Sequence, residues 1–139
     1  MTDCIFCKIV AGDIPASIVY EDQEVLAFLD ISQVTKGHTL LIPKTHHRNL
    51  LDMAPHQAQA LFEQVPRLSR HLKEKLGAKG VNLISNMEEE AGQTVFHTHL
   101  HLLPRYDETD GLSIRFETNE PNFAALGQLA ADLYVGENV

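Results

Sequence analysis

Three histidines occupy alternate positions in the stretch GQTVFHTHLHLLPR, which runs from Gly92 to Arg105. They are His97, His99 and His101. If residues 95–104 form a β-strand, all three lie on one face, with neighbouring imidazoles about 6 to 7 Å apart, because side chains alternate between faces. Leu100 and Leu102, which alternate with them, then point into the core. The stretch therefore predicts a sheet protein with one face lined by histidine.

The other predicted elements indicate an α+β fold with a mainly antiparallel five-stranded sheet, one long helix and one C-terminal helix. The other strands are expected at Ser17–Tyr20, Val25–Leu29, His38–Pro43 and Val81–Ser85, with LSIRFE (residues 112–117) as a weaker sixth candidate.

The long helix is predicted from Asp52, its N-terminal cap, to the stop signal Gly77, with a bend at Pro66. The last helix is expected to begin near Pro121. Its apolar side chains should pack on the body of the protein, namely Phe123, Leu126, Leu129 and Leu133.

Length and charge limit the classes of function. The chain has 139 residues and a formal net charge of −8, so nucleic acid and anionic membranes, which attract clustered basic residues, are not expected as partners. No apolar run approaches the roughly 18 residues of a membrane-spanning helix, and no leader-like segment opens the sequence. We expect one cytoplasmic domain over residues 1–139, with the acidic run Glu88–Glu90 in a solvated loop.

Three alternating histidines allow three interpretations. They could belong to a solvated sheet face, or they could hold one metal ion together, although ligands at positions i and i+2 usually converge only in pairs. They could instead perform phosphoryl chemistry, because a neutral imidazole nitrogen can attack phosphorus and form a phospho-histidine that water later resolves. An unperturbed pKa near 6.5 leaves histidine largely neutral at pH 7. The regular spacing beside a Gly-Gln-Thr turn favours the third interpretation.

The same stretch resembles a known family. HTHLHLL has the H-φ-H-φ-H-φ-φ pattern of the histidine triad (HIT) proteins, where φ is apolar, with Thr98 as a polar stand-in at the first φ. The resemblance covers about residues 4–105, because CIFCKIVAGDIPASIVYEDQEVLAFLDISQVTKGHTLLIPKTH is similar to the N-terminal half of the Hint branch, the nucleoside phosphoramidases. Residues 106–139 form a C-terminal extension without a diagnostic motif. The resemblance implies a HIT-like fold and a homodimer joined through the long helix and a sheet edge into a ten-stranded sheet.

The resemblance also implies catalytic roles. His99 would be the nucleophile. His101 would hydrogen-bond the phosphate and assist the leaving group, and His38 in KGHTLLIP would orient the nucleophile. Thr94 would place a hydroxyl near the phosphate, at a position where some relatives have Ser.

A purine nucleotide pocket is implied around these residues. Asp30 would accept hydrogen bonds from the ribose hydroxyls, with Phe28 and Ile31 near the base, although a turn role is the alternative for Asp30. Besides the histidines, contacts to phosphate or ribose would come from Asn86, Gly92, Gln93 and Thr94. Glycine at position 92 permits close backbone approach.

Cys4 and Cys7 are separated by two residues, a spacing that serves both zinc and redox sites. The resemblance supplies His46 and His97 as further ligands of a tetrahedral Cys2His2 site, the kind that zinc prefers. Four protein ligands leave no open position, so this zinc would be structural. His47 is an adjacent alternative to His46, and two ordinary thiols without a metal remain a further alternative.

The leading functional hypothesis is a nucleoside 5′-monophosphoramidase, which cleaves a P–N bond through a nucleotidyl-His99 intermediate and releases a nucleoside monophosphate. The second is a dinucleoside polyphosphate hydrolase, since GQTV, the triad and LPR also occur in that branch of the family, which lacks the zinc ligands. A nucleotide-binding HIT protein without turnover and a zinc protein without hydrolase activity are the non-enzymatic alternatives.

Overall fold

The computed structural model describes residues 3–136. Within this range five strands form one sheet: β1 (Ile18–Glu21), β2 (Val25–Leu29), β3 (Thr39–Pro43), β4 (Gly80–Ile84) and β5 (Leu100–Arg105). Their order in the sheet is β1-β2-β3-β5-β4, and all neighbouring strands are antiparallel. The α-helices of the same range are α1 (Ile5–Ala11), α2 (Pro55–Phe62), α3 (Val65–Leu76) and α4 (Phe123–Leu133). The predicted α+β class with an antiparallel five-stranded sheet is confirmed.

Helices cover both faces of the sheet. Leu61 of α2, with Leu68 and Leu72 of α3, packs on one face against residues that include Leu100 and Leu102, as expected from the alternation in β5. On the other face, Phe6 of α1 packs with Leu26, Phe28, Leu40 and Ile42. Strands that are buried on both faces read as continuous apolar runs, which explains VLAFL and TLLIP. His101 is paired with Leu40 in the sheet register and therefore lies on the α1 face.

The prediction of a single long helix from Asp52 to Gly77 is wrong, because the segment forms two helices. α2 ends at Phe62, and α3 begins at Val65 with Pro66 in its first turn. Proline has no N–H to donate, and its ring clashes with the carbonyl four residues earlier, which here belongs to Phe62. Pro66 therefore separates the helices instead of bending one. Gly77 does end α3, in a left-handed conformation with φ 67°.

The strand expected from Val95 also begins later, at Leu100. Residues 95–97 form bends and residues 98–99 have no regular structure. Thr98 is held against the segment after β3, because its N–H and its hydroxyl both donate to the His47 carbonyl, at 2.8 and 3.1 Å. His97 and His99 are thus placed by side-chain and backbone anchors. Residues 112–117, the sixth candidate, are not a strand.

The two ends of the described chain differ from expectation. Helix α1, which was not predicted, starts at the capping residue Cys4, whose Sγ accepts from the Cys7 N–H at 3.3 Å. Helix α4 starts after Pro121 as expected, but its apolar residues do not pack on the body, since Phe123 is 80% exposed and Leu129 is 52% exposed. No helix in residues 3–136 is both long and apolar enough to cross a membrane.

Candidate active site

A chain of hydrogen bonds joins His38 to His101 beneath the site. The Val34 N–H donates to Nδ1 of His38 at 3.3 Å, so the proton of a neutral His38 ring lies on Nε2. That Nε2–H donates to Nδ1 of His101 at 2.9 Å. His101 consequently carries its own proton on Nε2. Because an amide can only donate, the Val34 N–H fixes the tautomers of both rings.

The ring of His99 is fixed in the opposite sense. Its Nδ1 lies 2.7 Å from the backbone carbonyl of His97, an acceptor, so Nδ1 carries the proton and Nε2 is bare. The His99 and His101 ring centroids are 4.9 Å apart. The site thus combines one bare imidazole nitrogen with one imidazole N–H. His38 was expected to orient the nucleophile, but its hydrogen bond goes to His101.

Burial keeps these rings neutral. Desolvation lowers the pKa of His99 below its usual range, against the opposing effect of the His97 carbonyl. Burial, assisted by the neighbouring His99 and His38, lowers the pKa of His101 to about 4. Burial also lowers the pKa of His38. A neutral ring with a bare nitrogen is the form that attacks phosphorus.

Asp30 has one oxygen in a turn and one directed at the histidines. Its Oδ1 accepts from the Ser32 N–H at 2.7 Å, which fulfils the turn role considered as the alternative. Its Oδ2 lies 3.8 Å from Nε2 of His38. The second oxygen keeps Asp30 available to a ligand beside the histidine chain.

The two expected base contacts have different surroundings. Phe28 is buried and packs edge-on against Phe6, with ring centroids 5.6 Å apart, so it belongs to the core below the site. Ile31 is fully exposed at the tip of the loop between β2 and β3. Of these two, only Ile31 presents a side chain to a ligand.

The GQT segment has one buried and one exposed side chain. Both N–H groups of the Gln93 amide donate to backbone carbonyls, those of Arg48 and Val95, at 2.6 and 3.1 Å. Its Oε1 accepts from the Asn49 amide and from the Glu88 N–H. All four hydrogen-bonding positions of Gln93 are therefore used within the protein, which argues against its expected nucleotide contact.

The remaining residues of this loop are open to a ligand. Thr94 is exposed beside the buried Gln93. Gly92 adopts φ 97°, a conformation that other residues rarely take. The Asn86 amide donates to the Gly92 carbonyl at 3.3 Å, so Asn86 supports the turn from which Thr94 projects.

The predicted metal ligands Cys4, Cys7, His46 and His97 form one cluster. Sγ of Cys4 and of Cys7 lie 3.3 and 3.6 Å from Nδ1 of His97, and Cys7 Sγ lies 3.3 Å from Nδ1 of His46. The two Nδ1 atoms are 3.2 Å apart. Tetrahedral zinc with ordinary bond lengths would separate sulfur and nitrogen ligands by about 3.6 Å and two nitrogens by about 3.3 Å. The donor atoms thus have the spacing of a zinc site.

The tautomer of His97 supports the same interpretation. Its Nε2 lies 2.8 Å from the Pro43 carbonyl, so Nε2 carries the proton and Nδ1, which faces the cysteines, is bare. Such an outer hydrogen bond is the usual partner of a metal-bound histidine. His47, the alternative ligand, lies outside the cluster, with its Nδ1 3.9 Å from Asp52.

A second group, Asp30, His38 and His101, also brings possible ligand atoms together. A metal would require a bare Nε2 on His38. The Val34 N–H donates to Nδ1 of that ring and so leaves the proton on Nε2. This group is a hydrogen-bonded chain, and its geometry does not suit a metal.

The family model described as HIT domain matches residues 11–108. The chain belongs to the HIT family. Protein hit of Bacillus subtilis (strain 168) is 50% identical to this HIT protein over 121 residues, which cover 87% of this chain and 83% of that protein. The crystal structure of SMU.412c from Streptococcus mutans UA159 has a TM-score of 0.92 at 60% identity, and the match covers 96% of this chain and 84% of that chain.

A further relative is Adenylylsulfatase HINT3 of Arabidopsis thaliana, 40% identical over 103 residues, which cover 74% of this chain and 52% of HINT3. HIT proteins bind nucleotides, and members of the family are generally nucleotide hydrolases. This HIT protein therefore belongs to a family of nucleotide-binding proteins and nucleotide hydrolases.

Several residues that shape the site were not predicted from the sequence. Val34 fixes the histidine tautomers through a backbone group, which no side-chain pattern records. Arg48 and Asn49 reach across to Glu88, 40 and 39 positions away. Their only signal was their place immediately after His46 and His47, the two alternative ligand candidates.

Proposed function

We propose that this HIT protein is a nucleoside 5′-monophosphoramidase that acts through a nucleotidyl-His99 intermediate. The observation that carries the proposal is the pairing of opposite tautomers, a bare Nε2 on His99 beside an Nε2–H on His101. A nucleophile and a proton donor for the leaving group are the two functions that P–N cleavage requires.

The reaction has two steps. Nε2 of His99 forms a bond to phosphorus while the P–N bond breaks, and the departing nitrogen takes the Nε2 proton of His101 as it leaves as an amine. Water then attacks phosphorus, gives a proton back to Nε2 of His101, and the bond between phosphorus and His99 breaks. The products are the nucleoside monophosphate, the amine and the original enzyme. Thr94 would donate its hydroxyl to a phosphoryl oxygen, and Asp30 would accept from ribose.

The decisive experiment compares three substrates with the wild type and a His99→Ala variant. The substrates are adenosine 5′-phosphoramidate, a diadenosine polyphosphate, and adenylyl sulfate, the last because HINT3 is named an adenylylsulfatase. We expect the phosphoramidate to be cleaved with the highest kcat/KM, and the variant to lose about 10³-fold or more.

His71→Ala is the matched control, since His71 is exposed on α3, and we expect it to retain wild-type activity. Preference for the diadenosine polyphosphate would instead support the second hypothesis. Tight binding of AMP without turnover of any of the three would support a nucleotide-binding protein.

We further propose a structural zinc ion at the cluster of Cys4, Cys7, His46 and His97. Burial and the adjacent Cys4 thiol raise the pKa of Cys7, so a pair of thiolates requires a nearby cation. Zinc would hold the start of α1 against the segments after β3 and before β5. It would take no part in the chemical steps, because four protein ligands complete its coordination.

The biological unit that we propose is a homodimer with a purine nucleotide as its ligand. The resemblance to the Hint branch supports a dimer through the long helix, here α2 and α3, and a sheet edge such as that of β4, where Leu83 is 44% exposed. The exposed apolar side chains of α4 add a second surface that the partner subunit could cover. Exposed apolar area of this kind usually marks an interface. A cytoplasmic location is part of the same proposal.

A further inference from the structure

Glu88 has a backbone conformation that residues with a side chain rarely adopt. Its φ is 80° and its ψ is 165°. This region of backbone angles is essentially restricted to glycine, because a Cβ atom crowds the backbone there. Such strain persists only where surrounding contacts enforce it, and it is concentrated at functional sites. The contacts of Glu88 therefore need an explanation.

Two neighbouring side chains hold the Glu88 carboxylate. Arg48 donates from Nε and Nη2 to its two oxygens, at 2.8 and 2.9 Å. The Asn49 amide donates to Oε2 at 2.7 Å, and Asn49 is buried. These bonds, led by those from Arg48, lower the pKa of Glu88 to about 2, so the carboxylate is charged at any assay pH. Glu88 lies in an exposed turn with its side chain 41% exposed, as expected for the acidic run, and it is in addition held by an ion pair.

The strained residue is joined to the GQT segment by two direct hydrogen bonds and by a bridging amide. The Glu88 N–H donates to Oε1 of Gln93 at 2.8 Å, and the Gln93 N–H donates back to the Glu88 carbonyl at 3.1 Å. The Asn49 amide bridges the Glu88 carboxylate and Oε1 of Gln93. Gln93 is buried and precedes Thr94, which is exposed. The anchoring of Glu88 thus fixes the backbone from which the Thr94 hydroxyl projects.

We propose that Glu88 is a positioning residue, which holds the GQT segment in a strained conformation so that the Thr94 hydroxyl meets the phosphoryl group in the transition state. The inference rests on the proposed function, in which Thr94 binds that group. It separates Glu88 from Glu89 and Glu90, the other acidic residues of the same turn, which are exposed. The strain lowers stability and serves the geometry of the site.

The test compares Glu88→Gly and Glu88→Gln, with Glu90→Gln as the matched control. Glycine removes the anchor and also the strain, so we expect a Tm within about 3 °C of the wild type and a kcat about 10-fold lower. Glutamine keeps the strain and weakens the anchor, so its Tm should lie below that of the glycine variant. KM should change less than about 2-fold in both. Glu90→Gln should leave kcat, KM and Tm unchanged.

A double-mutant cycle decides whether Glu88 acts through Thr94. We expect Thr94→Ala to lower kcat about 10²-fold, as the loss of one donor to the transition state does. The double variant Glu88→Gly/Thr94→Ala should be no slower than Thr94→Ala, within about 2-fold, because the positioned group is already gone. The inference would be overturned if the two single losses in kcat multiplied in the double variant, or if Glu88→Gly kept the wild-type kcat. Either result would leave the proposed function intact.

Failure of the proposed function has a different result. A wild type that binds AMP but cleaves none of the three nucleotides contradicts the proposed reaction, and it contradicts the role of Glu88 in the transition state with it. A wild type that neither cleaves nor binds these nucleotides overturns both proposals.

Discussion

At the scale of single residues, backbone partners give four similar side chains different chemistry. His97 and His99 each donate one ring proton to a carbonyl, which leaves the opposite nitrogen bare. In His97 the bare nitrogen is Nδ1, and it faces the two cysteines. His38 accepts from an amide and donates to His101, which ends the chain as a donor. Since a neutral imidazole has one proton, one fixed partner determines the role of the second nitrogen.

The pH dependence of activity should report the burial of His99, because a histidine nucleophile attacks only in its neutral form. Desolvation lowers the pKa of His99 below its usual range, so we expect the acid limb of kcat/KM for adenosine 5′-phosphoramidate to lie clearly below pH 6.5. Asp30 opposes the shift, so Asp30→Asn should move the acid limb to still lower pH. Circular dichroism at each pH would verify folding, and an acid limb near pH 6.5 would contradict this prediction.

The sequence predicted which face of the sheet the residues occupy better than it predicted the contacts of individual side chains. The spacing of the histidines placed His101 opposite the core residues Leu100 and Leu102, as found. The same motif assigned Gln93 to the ligand, but its amide is used by groups up to 45 positions away. Such contacts depend on how loops meet in three dimensions, which a local pattern does not encode.

At the scale of elements, α1 joins the proposed metal site to the triad. Phe6 on this helix packs edge-on against the rings of His97 and His99, with centroids 5.8 and 5.2 Å away. The helix has only seven residues, so its stability must come from such packing and from its ends. Its shortness also explains why it was not predicted, because seven residues give too few turns for a clear apolar pattern. The break before α3 has a local cause in the sequence, namely Pro66.

Removal of one proposed ligand should therefore destabilise α1 and weaken the packing of Phe6 on His97 and His99. We expect the purified wild type to contain about one zinc per chain by plasma emission spectroscopy, and Cys4→Ser to contain almost none. Loss of a structural zinc should lower Tm by roughly 5 to 15 °C. His101→Ala is the control, because it alters the site without touching the cluster, and it should keep its zinc. Wild-type protein that contains no zinc and has a Tm insensitive to EDTA would contradict the zinc proposal.

At the scale of the whole molecule, a packed body is followed by an uncovered segment. Residues 113–136 are exposed throughout, although many are large and apolar. Those with more than half of their surface exposed are Phe116, Phe123, Leu126, Leu129, Leu133, Tyr134 and Val135. A single 11-residue helix is marginal in water by itself, so α4 needs a surface to pack on. The sequence pattern identified the apolar face of α4, but the pattern contains no information about which chain covers it.

The proposed homodimer predicts that charge on the apolar face of α4 will separate the subunits. We expect light scattering to give twice the mass of one chain for the wild type and the mass of one chain for Leu126→Glu/Leu129→Glu, because buried carboxylates without partners are costly. Gln128→Glu adds a charge to the same helix away from this face and should remain dimeric. The wild-type Tm should rise with protein concentration, as expected when association stabilises the folded state, whereas that of the double variant should not. A wild type that scatters as a single chain at micromolar concentration would rule out the homodimer and leave α4 uncovered in solution.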